Sequence, residues 1–112
     1  MATRSTIAVE FADGHVEQVY CHYDGYLSNN GRLLLEHYNR TAAEQLVASG
    51  NMSALGETVE DTEFYGERAA RWRSYEDYQY QGQREEYNYI LRVDDVWEVE
   101  ARGKTNRLVD VV

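Results

Sequence analysis

From Thr3 to Phe11 the chain has the pattern of a strand with one buried face, which carries Ile7, Val9 and Phe11. The dipeptide Asp13-Gly14 follows at once and is a strong hairpin signal. With these two residues as the loop, Phe11 would pair with Val16 and Ile7 with Tyr20. The apolar face of this predicted hairpin comprises Ile7, Val9, Phe11, Val16 and Tyr20.

A turn-rich segment, 24–30, comes next, and beyond it apolar residues recur at helical spacing. The buried stripe of this predicted first helix comprises Leu34, Leu35 and Tyr38. Thr41 and Glu44 have the spacing of a capping box, in which each side chain bonds a free backbone N–H of the first turn. They predict a second short helix that runs to about Ser49 and ends at Gly50.

The pattern is weakest in the middle of the chain and clear again at its end. The middle segment is interpreted as a strand over 58–65 followed by a helical turn over 66–72. Near the end, Asp94-Asp95 as a two-residue loop would set Arg92 opposite Trp97, a cross-strand cation–π pair. The three strands of the predicted antiparallel meander are 87–93, 96–102 and 107–112.

These elements predict an α+β fold in a single domain, 1–112. An antiparallel β-sheet, built from the N-terminal hairpin plus the C-terminal meander, would carry a layer of two short helices on one face. A chain of 112 residues with 43% hydrophobic content can bury one modest core. It shows no internal repeat and no proline-rich linker, since it contains no proline.

The net charge of −9 argues against nonspecific binding to nucleic acid or to an anionic membrane, because both require a basic surface. From 57 to 100 the chain carries 13 acidic residues against 5 arginines. Such a surface suits a basic partner, or mimicry of DNA, although a plainly solvated acidic face is the simpler interpretation. No 18-residue apolar run and no signal peptide occur, so we expect a cytoplasmic protein.

The segment from Tyr20 to Tyr38 holds the first candidate site, a turn followed by a helix. A ligand site here would use His22, Tyr23, Asp24, Tyr26 and His37, with Arg4 and Arg32 neutralising an anionic ligand. His22 and Asp24 could instead perform acid–base chemistry, or merely organise the turn. Cys21 is not expected to assist His22, because adjacent strand residues point to opposite faces.

The sequence predicts no metal site and no cofactor. The chain lacks the HxH, HExxH and CxxC spacings of metal sites. Its glycines are dispersed, so neither phosphate-binding glycine motif occurs.

A tyrosine-rich segment in the second half is the second candidate site. Tyrosine, tryptophan and arginine favour protein interfaces, while ordinary strand packing and stacking on a nucleotide are the alternatives. The predicted interface comprises Trp72, Tyr75, Glu76, Asp77, Tyr78, Tyr80, Glu85 and Glu86.

TRSTIAVE (3–10) and YCHYDGYLSNNGRLLLEHY (20–38) resemble a family of small uncharacterised proteins of tailed bacteriophages and prophages. The resemblance covers roughly the first 40 residues and carries no catalytic residues. It implies a phage accessory protein acting in the bacterial host cytoplasm. By analogy, such a protein binds and disables a host enzyme or defence complex.

The leading hypothesis is therefore a non-enzymatic protein that binds and inhibits a host or defence protein through its acidic, tyrosine-rich half. The alternative is a binding protein, or sponge, for an anionic metabolite or nucleotide at the 20–26 turn. A hydrolase that depends on His22 and Asp24 is the third. A homodimer paired through the predicted strand 107–112 is also an expectation.

Overall fold

One mixed sheet organises the computed structural model, which describes residues 2–112. Its strands are β1 Ser5–Glu10, β2 Val16–Cys21, β3 Met52–Ala54, β4 Glu63–Phe64, β5 Ala70–Trp72, β6 Tyr87–Leu91, β7 Trp97–Ala101 and β8 Lys104–Arg107. The helices are α1 Arg32–His37, α2 Arg40–Ser49, α3 Tyr75–Asp77 and α4 Leu108–Val111, with π-helical segments Leu27–Gly31 and Tyr78–Gly82. The α+β prediction is confirmed.

The strand order is β4-β3-β2-β1-β6-β7-β8, and β5 pairs with β2 beside this path. The N-terminal hairpin β1–β2 and the meander β6–β7–β8 are both antiparallel. They join through a parallel pair, β1 with β6, and β2 with β3 is parallel as well. The sheet is therefore mixed, because β1 of the hairpin and β6 of the meander run parallel to each other.

The N-terminal hairpin closes through three residues, 12–14, and the predicted two-residue register is wrong. Gly14 has φ +95°, the left-handed conformation that ends a three-residue loop. The extra residue moves the pairing by one position, so Ile7 pairs with Val19 and not with Tyr20. The predicted core face is split in consequence, since Val16 and Tyr20 lie on the opposite side of the sheet.

The predicted register of the meander is wrong for the same reason. The turn between β6 and β7 also has three residues and ends in a left-handed residue, Asp95, with φ +66°. Trp97 therefore pairs with Leu91, and the predicted pair of Arg92 with Trp97 is wrong. The guanidinium of Arg92 lies instead over the ring of Tyr75, 3.5 Å from its centroid.

Two further predictions of secondary structure are wrong, one in the middle of the chain and one at its end. In the segment 66–72, only Ala70–Trp72 form the short strand β5, which pairs with β2, and the predicted helical turn is wrong. The predicted strand 107–112 is the helix α4, whose Leu108 is fully buried in the core. The predicted dimer contact, in which strands 107–112 of two copies pair, therefore has the helix α4 where that strand was expected. Homodimer formation stays a prediction.

Helix α2 ends as predicted, at Ser49 with Gly50 beyond it at φ +96°, but it begins differently. Its N-cap is Asn39, whose Oδ1 accepts a hydrogen bond from the backbone N–H of Ala42 at 2.9 Å. The predicted capping box of Thr41 and Glu44 is wrong, because the N-cap lies two residues before Thr41 and the helix begins at Arg40.

Substitution of each residue distinguishes the observed N-cap, Asn39, from the predicted one, Thr41. We expect Asn39→Ala to lower the free energy of unfolding by about 1 kcal/mol, because one backbone donor loses its partner. Thr41→Ala should change it by less than about 0.5 kcal/mol, as for other exposed positions. Urea denaturation measures both, and a larger loss for Thr41→Ala would contradict the assigned cap.

The sheet buries apolar side chains on both faces, where one covered face was predicted. The main core lies between the sheet and α1, α2 and α4, and includes Ile7, Val9, Val19, Leu34, Leu46, Val47, Tyr89, Leu91, Val99 and Leu108. Residues 74–83, called the strap hereafter, cover part of the other face. The second core consists of Ala8, Val16, Tyr78 and Ile90, with Trp72 and Tyr75 packed against them.

Candidate functional site

The structure places His22 at the end of β2, on the sheet face that carries Tyr20. Its Nδ1 shares a hydrogen bond with the Tyr20 hydroxyl at 2.7 Å, and its ring packs edge-on against Tyr23. Asp24 is exposed, and among residues 2–112 its carboxylate makes no hydrogen bond to His22. Its backbone carbonyl accepts from the side-chain amide of Asn29 instead, at 3.1 Å. Asp24 thus organises the turn through its main chain.

The remaining members of this first candidate site lie apart from His22. His37 is exposed next to Glu57, at 3.5 Å. Among the described residues, neither Arg4 nor Arg32 has a carboxylate within 4.0 Å. Tyr26 is exposed. The predicted set of residues therefore does not converge on one pocket.

Cys21 and His22 point to opposite faces of the sheet, as predicted. Cys21 is fully buried in the main core, where its Sγ lies 3.4 Å from the side-chain amide of Asn30. Burial raises the pKa of the Cys21 thiol, which leaves it protonated and unreactive at neutral pH.

The aromatic residues of the second candidate site are mostly engaged inside the molecule. Tyr78 is fully buried, so its prediction as an exposed interface anchor is wrong. Tyr75 is half-buried and donates its hydroxyl to Glu98 at 3.0 Å, while burial and this carboxylate raise the Tyr75 pKa to about 12. Only Tyr80, 91% exposed, remains available to a partner among the strap tyrosines.

The charged members of that site are divided. Asp77 lies 3.5 Å from the Arg73 guanidinium, so part of its charge is neutralised. Glu76 and Glu86 are exposed, and Glu85 is half-buried. The strap thus presents a weaker acidic, aromatic surface than its composition suggests.

A groove with a volume of about 530 Å³ lies on the helix face of the sheet. The α1–α2 connection forms one wall, the β6–β7 hairpin another, and α4 closes the end. Its apolar lining includes Leu35, Val96, Trp97 and Val109. Leu35 was predicted to be buried and is 36% exposed, and Val109 is 58% exposed. Two large aliphatic side chains thus stand open to solvent beside the Trp97 ring.

Trp97 is held rigidly at the base of this groove. Its indole Nε1 donates to the carbonyl of Tyr38 at 3.0 Å, and only 6% of the residue is exposed. This bond links β7 to the end of α1, so the two walls of the groove are tied together.

The rim of the groove carries negative charge that is only partly compensated. Arg40 is fully engaged, since it binds Glu44 and Asp95 and donates to the carbonyls of Glu10 and Arg92. The Arg40 guanidinium is therefore occupied by groups of the protein itself. The exposed carboxylates of Glu36 and Asp95 line the groove, and that of Glu57 lies 3.5 Å from the imidazole of His37, which is also in the lining.

Comparison with protein-family models, with curated proteins and with solved structures found no match. Within residues 2–112 no helix has the length and apolarity needed to span a bilayer. The same residues contain no group of three or more His, Cys, Asp or Glu side chains placed to hold a metal ion.

Proposed function

We propose that this chain is a non-enzymatic binding protein whose groove takes an apolar, basic segment of a protein partner. The phage-type resemblance of the first 40 residues suggests a host or defence protein as that partner. The observation that carries the proposal is the exposure of Leu35 and Val109 beside Trp97, inside a rim of carboxylates.

The arrangement has the composition of a protein-binding site. Interfaces combine an apolar centre containing an aromatic residue with a polar rim that excludes water. Trp97 provides the rigid centre, and the flanking aliphatic side chains provide area that is now exposed. The carboxylates of the rim and the net charge of −9 favour a segment rich in Lys or Arg.

Binding is favoured over catalysis by the state of the titratable residues. His22 is bonded to Tyr20 and not to Asp24, and the thiol of Cys21 is buried on the other face. A hydrolase that depends on His22 and Asp24 thus lacks a hydrogen-bonded dyad in this structure.

Single substitutions on the groove test this proposal in a tagged pull-down from bacterial lysate. Val109→Lys should reduce the yield of a stoichiometric protein partner at least tenfold, because a charge replaces an apolar contact. Val93→Lys is the matched control, since Val93 is 52% exposed and lies outside the groove lining. Equal yields from both variants would contradict the assignment of the groove.

The strap is a second candidate surface for the same function, because Tyr80 projects almost fully into solvent. The exposed carboxylate of Glu76 lies on the strap, and that of Glu86 follows the strap in the chain. If this surface binds the partner, then Tyr80→Ala would abolish capture and Val109→Lys would not.

A further inference from the structure

A cleft of about 320 Å³ lies on the face opposite the groove, between the strap and the uncovered half of the sheet. Tyr20 of β2 and Trp72 of β5 line it, and Arg68, Arg84 and Glu85 stand around them. The cleft, as this depression is called below, therefore combines aromatic side chains with two positive charges and one negative charge.

The arginines of the cleft differ from most of the others in the chain. The arginines with a carboxylate within 4.0 Å are Arg40, Arg71, Arg73, Arg92 and Arg107. Across residues 2–112, no carboxylate lies that close to Arg68 or Arg84. Arg84 donates its Nε to the carbonyl of Gln81, which leaves its two terminal nitrogens for a ligand.

Two guanidinium groups without a carboxylate within 4.0 Å among residues 2–112 thus line one cleft of a protein with a net charge of −9. Each would gain from an anion, and the planar fork of a guanidinium matches the oxygens of a phosphate. Arg4 adds to this field, because it lies close enough to Tyr20 to oppose the rise in phenol pKa that burial causes.

The aromatic side chains of the cleft are fixed before any ligand arrives. Trp72 donates its Nε1 to Oε1 of Gln18 at 2.9 Å, and the Nε2 of Gln18 donates to the carbonyl of Gly82 at 2.7 Å. Tyr20 is held by its hydrogen bond to His22. A planar ring that stacks on either side chain would therefore cost little ordering of the protein.

Gly82 shows how closely the strap approaches this pair. A Cβ atom at that position would lie 2.8 Å from Oε1 of Gln18 and 3.0 Å from Nε1 of Trp72. A side chain there would displace the Gln18 amide and crowd the indole, so the hydrogen bond that holds Trp72 depends on this glycine.

Glu85 limits which anions fit. Its carboxylate repels a simple anion but accepts hydrogen bonds from a hydroxyl or amino group. A suitable ligand thus carries a negative group, a planar ring and hydrogen-bond donors. The cleft volume is at the lower end of the roughly 300–1,000 Å³ of small-molecule sites, which favours a compact ligand over a polymer.

We propose that the cleft binds a nucleoside phosphate of mononucleotide size. Arg68 and Arg84 hold the phosphate, Trp72 and Tyr20 stack on the base, and Glu85 accepts from a sugar hydroxyl or a base amino group. This site is distinct from the groove, which lies on the other face of the sheet and prefers positive charge.

Titration followed by tryptophan fluorescence tests the proposal. In the Trp97→Phe variant, Trp72 is the sole tryptophan and reports on the cleft. AMP, GMP, CMP and UMP are the probes, with adenosine and inorganic phosphate for comparison. We expect saturable quenching by at least one mononucleotide, and calorimetry on the unmodified chain should give the same affinity.

The arginine variants decide which residues bind. The double variant Arg68→Ala, Arg84→Ala should weaken mononucleotide binding at least tenfold. Arg32→Ala is the matched control and should bind normally, since Arg32 is also exposed and without a carboxylate partner but lies outside the cleft. Circular dichroism checks that all variants remain folded.

Three results would overturn the proposal. The first is no saturable response to any mononucleotide up to about 5 mM, an affinity too weak for a built site. The second is equal affinity for inorganic phosphate, because the aromatic side chains would then contribute nothing. The third is tighter binding of single-stranded oligonucleotides with increasing length, which would assign the cleft to nucleic acid.

Discussion

The Tyr78→Ala variant is expected to lose about 3–5 kcal/mol of unfolding free energy, the largest effect of any single truncation in the strap. Tyr78 is the only large strap side chain that is fully buried, and it packs on Ala8, Val16 and Ile90. Its removal leaves a cavity over the second sheet face. Guanidinium denaturation followed by circular dichroism measures the loss.

Two matched variants show whether packing is the cause. Tyr80→Ala, two residues away and 91% exposed, should change stability by less than about 0.5 kcal/mol. Tyr78→Phe should not destabilise, because the buried hydroxyl has no hydrogen-bond partner and the amide of Gln83 lies near it without bonding geometry. Equal effects of Tyr78→Ala and Tyr80→Ala would contradict the strap as a packed layer.

The Arg92→Ala variant is expected to show the second large effect, a loss of about 3–5 kcal/mol of unfolding free energy. Arg92 donates its Nε to Glu10 at 2.8 Å and its terminal nitrogen to Glu98 at 3.2 Å. The Glu10 side chain is only 11% exposed. Removing the guanidinium therefore leaves this nearly buried carboxylate without its counter-charge, with the backbone N–H of Val93 still bonded to it at 3.0 Å, and also uncovers the ring of Tyr75.

An exposed ion pair and a second-site change serve as controls for this variant. Arg107→Ala breaks a solvent-exposed pair with Asp110 and should cost less than about 1 kcal/mol. Adding Glu10→Gln to Arg92→Ala should restore part of the lost stability, since the stranded charge is removed. If the double variant is less stable than Arg92→Ala, then the buried charge is not the source of the loss.

The class of the fold could be predicted from the sequence because its strongest patterns are local. Alternation identified the N-terminal strands, and Gly50 marked the end of α2. Register could not be predicted, since it depends on whether a turn has two residues or three. Asp13-Gly14 and Asp94-Asp95 look like two-residue loops, yet both hairpins use a third residue, and Gly14 and Asp95 take the left-handed conformation.

The location of the two proposed binding surfaces could not be predicted for a different reason. The tyrosine-rich segment looks like an interface, but whether a tyrosine faces solvent depends on what lies beneath it. Tyr78 and Tyr80 lie two residues apart in the same polar segment, but only Tyr78 packs on the second sheet face and is buried, while Tyr80 is exposed. The strap could have been suspected only from the apolar residues on the second sheet face, which the wrong register concealed.

The two surfaces also join residues that are far apart in the chain. Leu35 and Val109 meet at Trp97 in the groove, and Tyr20, Trp72 and Arg84 meet in the cleft. No spacing rule connects such positions. His22, predicted as a member of a site, has instead the supporting role of holding Tyr20 in place.

Hydrogen–deuterium exchange of the chain, alone and in complex with the protein partner it captures, tests most directly where that partner binds. We expect the partner to slow exchange in 35–40, 95–97 and 108–112, the segments that form the groove, while the strap exchanges as before. Protection of the strap with unchanged exchange in the groove segments would contradict the proposed function of the groove.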